Sequence, residues 1–218
     1  MKKIIISIIA SVFLVTNASA VDLSNLSIGV SANTAVYAAT GTERNSNEDA
    51  SATTITSEYG AFNDDFASIF IEMGNDQISV GLDYVPDSLE TPENINTQEG
   101  GDNKVSAEFE NLMTLYVKMN LPLGGTYVKL GYSSVDVITK ESMVSTNNYG
   151  DTSTDGPTFG IGYQIENADG ISLRAEITGS QFDDVSVNNG IAATANRNVI
   201  EVSDMIGARG TISLVKSF

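Results

Sequence analysis

The sequence predicts an all-β protein, an eight-stranded antiparallel up-and-down transmembrane β-barrel. Three observations predict it. Eight segments alternate apolar and small or polar residues with period two, the spacing of a strand with one greasy face. Their connections sort into three short turns and four long polar stretches. After residue 20 no apolar run approaches the roughly 20 residues of a spanning helix, so entry into a membrane requires a closed barrel, because lipid leaves an open strand edge unsatisfied.

The strands follow in chain order. From Leu26 to Val36 the even positions read Leu, Ile, Val, Ala, Thr, Val. Ala67, Ile69, Ile71 and Met73 share one face of the second, and Ile78, Val80, Leu82 and Tyr84 follow after Asn75-Asp76, which makes a hairpin. A long strand from about Val105 carries Met113, Leu115, Val117, Met119 and Leu121. Pro122-Leu123-Gly124-Gly125 then turns the chain into Val128, Leu130 and Tyr132. Phe159, Ile161, Tyr163 and Ile165 pair with Ile171, Leu173, Ala175 and Ile177 across Asn167-Ala168-Asp169. The last strand holds Ala208, Gly210, Ile212 and Leu214 and ends on Phe218. Long polar loops are expected at about 41–65, 86–104, 140–157 and 181–198, and both chain ends fall on the short-turn side. A secreted soluble β-sandwich also alternates, but its connections do not sort into a short and a long side.

Composition removes most other classes. The chain has 218 residues, 28 Asp plus Glu against 11 Lys plus Arg, and no His, Cys or Trp. A net charge of −17 offers no basic face for phosphates, so nucleic acid is excluded as a partner. Without His or Cys there is no imidazole or thiolate chemistry, no disulfide and no zinc–sulfur site. No enzyme, cofactor or metal is expected. Lys2 and Lys3 before the apolar run Ile4 to Val15, and the small residues Ala18-Ser19-Ala20, read as a secretory signal over residues 1–20, with residues 21–218 as the barrel domain. An uncleaved anchor is the alternative.

If the greasy face meets lipid, the other face lines the lumen. It carries Glu72, Asp83, Glu110, Lys118, Lys129, Arg174, Glu176 and Arg209, interleaved with Gly29, Gly81, Gly131, Gly160 and Gly162. An eight-stranded barrel is only just wide enough for side chains to fill, so the glycines are read as room for the long charged groups. Glu72, Lys118, Lys129, Arg174 and Glu176 fall in a lower layer, and Asp83, Glu110 and Arg209 higher. Buried charges of opposite sign should pair, which predicts a plugged lumen. A narrow ion pathway lined by the same groups is the alternative, giving a porin-like channel for passive diffusion.

The four long stretches hold sixteen acids and four bases, a segregation of charge that suits solvated loops, or loops that attract divalent cations. Asp151-Thr152-Ser153-Thr154-Asp155-Gly156 opens like a calcium loop, but Gly162 stands where its closing Glu belongs. Tyr37, Tyr84, Tyr127, Tyr132, Phe159, Tyr163 and Phe218 suit an interfacial girdle, whereas Tyr116 counts inward.

Gly160-Ile161-Gly162-Tyr163, Ile171-Ser172-Leu173-Arg174-Ala175-Glu176 and Phe182-Asp183-Asp184-Val185 resemble the seventh-strand region of the small OmpA-like outer-membrane barrels, and Tyr127-Val128-Lys129-Leu130-Gly131-Tyr132 resembles their fifth strand. Ile177, where an aromatic is usual, and Lys216, two residues before the final Phe, depart from the pattern. The resemblance implies a bacterial outer-membrane protein exported through the periplasm, with both termini periplasmic. It implies insertion by the barrel-assembly machinery, which reads a C-terminal strand such as Gly210, Ile212, Leu214 and Phe218. The expected role is non-enzymatic: a monomer in contact with lipid and lipopolysaccharide, presenting acidic loops to an extracellular surface ligand and supporting envelope integrity.

Overall fold

A computed structural model describes residues 25–46, 53–98, 101–142, 149–191 and 197–218; the leader read over residues 1–20 lies outside them. The strands are β1 (Leu26–Ser46), β2 (Thr53–Gly74), β3 (Ile78–Tyr84), β4 (Leu89–Glu90), β5 (Asn94–Gln98), β6 (Gly101–Asn120), β7 (Thr126–Ser142), β8 (Thr152–Glu166), β9 (Ile171–Gln181), β10 (Val185–Asn188) and β11 (Arg197–Ser217). Eight of them form a ring in the order β1-β2-β3-β6-β7-β8-β9-β11, and β11 pairs back on β1 from Ser27↔Ser217 to Ser46↔Arg197. All pairings are antiparallel, and closure removes the edges that lipid cannot satisfy.

The pleat sorts the side chains as the alternation requires. Val30, Leu173 and Leu214 stand on the outer wall, each 55–56% exposed, while their neighbours Ser31, Ser172 and Ser213 are buried inside. The short turns have local causes. Asn75 Oδ1 accepts from the amides of Gln77 and Ile78, and Asn167 Oδ1 from those of Asp169 and Ile171, both Asx turns. Gly124 (φ 52°) and Gly125 (φ 89°) supply the left-handed backbone after Pro122. Both described ends lie on this side, where the Phe218 amide donates to the Leu26 carbonyl at 3.0 Å.

The long stretches differ from expectation. Much of 41–65 is ladder, with β1 and β2 paired without interruption to Ser46↔Thr53, and β6 and β7 pair from Asn120↔Tyr127 to Lys104↔Ser142. Above the outer apolar band both faces of these ribbons meet water, so the period-two contrast fades while Thr, Ile and Tyr still favour extended backbone. The wall therefore rises as a β collar instead of dissolving into loops. Short β4, β5 and β10 attach to β6 and β11 at its sides.

Two bulges reset the inward face. Asn111 (φ 55°) interrupts β6 between Glu110↔Asp136 and Met113↔Ser134, and Asp204 (φ 52°) does the same in β11 opposite Ala39. The Asn111 side chain donates to Asp136 Oδ2 at 2.9 Å. An Asn111→Val chain should be less stable than Asn111→Gly by about 1–2 kcal/mol, since both lose that bond and only valine bears the left-handed steric cost. Urea unfolding of the two variants in the same bilayers measures the difference; equal midpoints would remove the strain argument.

Candidate functional site: the lumen

The lower lumen, next to the short turns, is a lattice of charge built across the ring. Arg174 on β9 reaches Glu72 on β2, three strands away, with Nη1 and Nη2 each 2.6 Å from a carboxylate oxygen, and its Nε donates to Gln164 at 2.7 Å. Glu72 also accepts from Lys118 Nζ at 3.0 Å and from the Tyr116 hydroxyl at 2.8 Å. Glu176 is the second focus, bonded by Lys129 Nζ, by the Tyr127 hydroxyl at 3.0 Å and by Thr178 at 2.9 Å. Cations also face rings: Lys129 lies 4.6 Å from the Tyr116 centroid and the Arg174 guanidinium 5.1 Å from that of Phe70. Every one of these charged groups is buried.

One storey higher runs a polar belt with a contribution from each ring strand. Thr114, Ser133, Thr158 and Ser180 form a hydroxyl chain at 2.7–2.9 Å across β6, β7, β8 and β9. Thr211, Asn33, Ser68 and Asp83 continue it across β11, β1, β2 and β3. Arg209 spans the space to Asp83 at 3.1 Å. Above the belt the interior turns apolar: Ala35, Phe66, Val85, Leu89, Leu112 and Val135 pack together, with Tyr37, Phe62, Phe109 and Phe182 against them. Over this floor lies a cavity of about 460 Å³.

Seven of the eight expected lumen charges meet in this way: Glu72, Asp83, Lys118, Lys129, Arg174, Glu176 and Arg209. Glu110 is a correction. The Asn111 bulge inverts the alternation above it, so Phe109 turns inward to stack on Phe62, with ring centroids 5.6 Å apart, and Glu110 goes to the outer wall opposite Asp136. The glycines are a second correction. They make room for aromatic rings more than for charges: Gly29 faces Phe70, Gly81 faces Tyr116, Gly162 faces Tyr127 and Gly207 faces Tyr37, each pair directly opposed in register. Tyr37 and Tyr127, expected in the girdle, are thus interior groups, whereas Tyr132, Phe159, Tyr163 and Phe218 remain outside, each about half exposed. Sequence reasoning missed Phe70 and Gln164, although Phe70 shares its strand face with Glu72 and Gln164 with Gly160 and Gly162, all already assigned inward.

Ile212, Leu214 and Phe218 stand on the outer wall with Gly210 on the same face. Lys216 bends to the turn, where Nζ donates to the Asp169 carbonyl at 2.6 Å and faces the Phe218 ring. The calcium-like segment lies largely in β8; Asp151 accepts from the Thr139 amide and Asp155 from the Tyr132 hydroxyl, so the two do not converge. Among the described residues no group of three His, Cys, Asp or Glu is placed to hold a metal. On the collar, Lys140 Nζ sits 2.5 Å from Glu108, and its hydrogen bond holds the Glu108 carboxyl below the usual carboxylate range and raises Lys140 in turn.

A closed eight-stranded ring with a greasy outer wall and a charged interior defines a bacterial outer-membrane barrel. The chain belongs to the outer membrane protein beta-barrel domain family, whose pattern matches residues 5–198. No curated protein sequence matches it. Among solved structures, it resembles the outer membrane protein OprG from Pseudomonas aeruginosa at 12% identity, covering 90% of this chain and 100% of that one with a TM-score of 0.52. The outer membrane protein AlkL, at 14% identity, is covered over 95% and this chain over 93%, with a TM-score of 0.49. The outer membrane protease OmpT from Escherichia coli, at 9% identity, is covered over 98% and this chain over 90%, with a TM-score of 0.46. At such identities the likeness concerns the fold alone.

Proposed function

We propose that this protein is a non-conducting, non-enzymatic outer-membrane barrel that presents an acidic β collar at the cell surface. The observation carrying this reading is the cross-lumen lattice centred on Glu72 and Glu176. Above it, the void bounded by Tyr37, Leu112 and Arg209 is about 10 Å³, at most the space of a single water. Short turns toward the periplasm and the collar outward is the orientation that fits barrels of this kind, and it puts both termini in the periplasm. The outer-wall strand ending on Phe218 suits recognition by the barrel-assembly machinery during export. The collar's excess of acids then faces the medium, where it suits contact with lipopolysaccharide through divalent cations or with a surface ligand, and supports the envelope without a catalytic step.

Planar-bilayer recording of the refolded chain tests the reading. Wild type is expected to give no stable openings, and a Glu72→Ala, Arg174→Ala double variant to open intermittently. Steady single-channel steps from wild type would replace this reading with the porin-like one.

A further inference from the structure

We propose that the apolar chamber above the polar belt is a binding site for an unbranched hydrocarbon chain with a neutral or cationic head, reached through a side mouth in the collar. This goes beyond the surface role above and holds whether or not the lower lumen conducts.

The wall explains the mouth. The ladder between β2 and β3 stops at Ile69↔Tyr84, and beyond Tyr84 the chain leaves β2 and pairs with β6 instead: the Val85 amide donates to Leu112, Leu89 opposes Phe109, and the Thr91 amide donates to Ala107. From Ser68 upward, β2 pairs with β1 alone. Between its edge at Ala61–Asn63 and the strap at Glu90–Glu93 lies an open recess of about 490 Å³, and Ala61, Phe62, Thr91 and Pro92 line both this recess and the chamber. Pro92 lacks the amide that would invite a further strand to close the gap.

The chamber's size and lining point to its occupant. At about 460 Å³ it falls within the range of small-molecule sites, roughly 300–1,000 Å³. Its walls are aliphatic and aromatic, among them Phe62, Leu89, Phe109, Leu112, Val135 and Met205. A floor of packed apolar side chains separates it from the charges below, and the buried Thr154 at that level already donates its hydroxyl to the Asp183 carbonyl at 2.7 Å. The head group is selected at the mouth. Glu58 lines the chamber and Glu90 and Glu93 line the recess, while Lys104, on the strand facing the strap, is engaged by Glu93 at 3.1 Å. A carboxylate or sulfate head meets like charge there, and a hydroxyl or quaternary ammonium head does not.

The test uses the full chain refolded into lipid nanodiscs with methyl-labelled Leu, titrated separately with 1-decanol, decyltrimethylammonium and decanoate. Decanol and decyltrimethylammonium are expected to shift Leu89 and Leu112 methyls saturably, with little change at the lipid-facing Leu173 and Leu214. Decanoate is expected to bind at least about tenfold more weakly. Ala107→Trp fills the chamber and should abolish the shifts. Should that variant fail to fold, the exposed pair Glu58→Lys and Glu90→Lys serves instead and should admit decanoate. Shifts no larger inside than on the lipid face, no saturable shift at all, or equal binding of decanoate by wild type would each overturn the proposal.

Discussion

Replacing Glu72 by alanine should lower the unfolding free energy of the barrel by about 3–5 kcal/mol, the cost of stranding buried charge whose partner has been removed. Glu72 is the only carboxylate bonded by Arg174 and Lys118 among the described residues, and it also accepts from Tyr116. Without it two buried cations face each other across a narrow lumen. With Glu110 on the outer wall, the lumen lattice already holds three carboxylates against four cations, so no spare acid stands by to replace it. The complementary experiment removes the set: Glu72→Leu, Lys118→Met and Arg174→Met together leave no orphaned charge and should cost less than the single change. Because the chain lacks tryptophan, far-UV circular dichroism and heat-modifiable gel migration through a urea series are the suitable readouts. A single variant losing under about 1 kcal/mol, or a triple variant worse than the single, would show that the lattice is not what holds the lower lumen together.

Much of this lattice is legible in the sequence because lipid imposes a strict filter. A strand that must be greasy at every second position announces which positions are not, and charges such as Arg174 and Glu176 in that alternate register have nowhere to go but inward. Glu72, Lys118 and Lys129 are found by the same count. The filter fails where its cause ends. Above the outer apolar band neither face is forced to be greasy, so the rise of β1 and β2 into a collar leaves no alternation and reads as loop. It fails again at Asn111: one inserted residue reverses every assignment beyond it, and a single Asn in a strand does not declare a left-handed backbone. Phe109 and Glu110 therefore exchange faces, and with them the apolar floor of the chamber stays hidden from sequence reading. The strap from Val85 to Glu90 adds to the same surprise, because Val85 and Leu89 are spaced four apart and show no strand period, yet both are buried in the barrel's interior.

The paired glycines and rings carry the other large effect. At Gly162 an added Cβ would lie 2.3 Å from both Cζ and Oη of Tyr127, closer than atoms pack. An exposed tyrosine would swing aside, but Tyr127 is fully buried, donates to Glu176 at 3.0 Å, and has Lys118 and Arg174 against its ring at 5.5 and 5.6 Å. The ring cannot yield without breaking the second focus of the lattice. Gly162→Ala should therefore cost about 1–3 kcal/mol, as overpacking does, although on an open strand alanine would be the better residue. Tyr127→Ala alone should cost about 3–5 kcal/mol through lost packing. In the Tyr127→Ala background the Gly162→Ala change should become neutral or slightly favourable, since the clash is gone and only the entropic handicap of glycine remains. The double-mutant cycle reads this coupling directly from urea midpoints in bilayers. Additive losses would mean that ring and glycine are neighbours without being fitted to one another. The same cycle on Gly81 and Tyr116, where the added Cβ would stand 2.4 Å from the ring, should give coupling of the same sign, because Tyr116 is likewise buried and tied to Glu72.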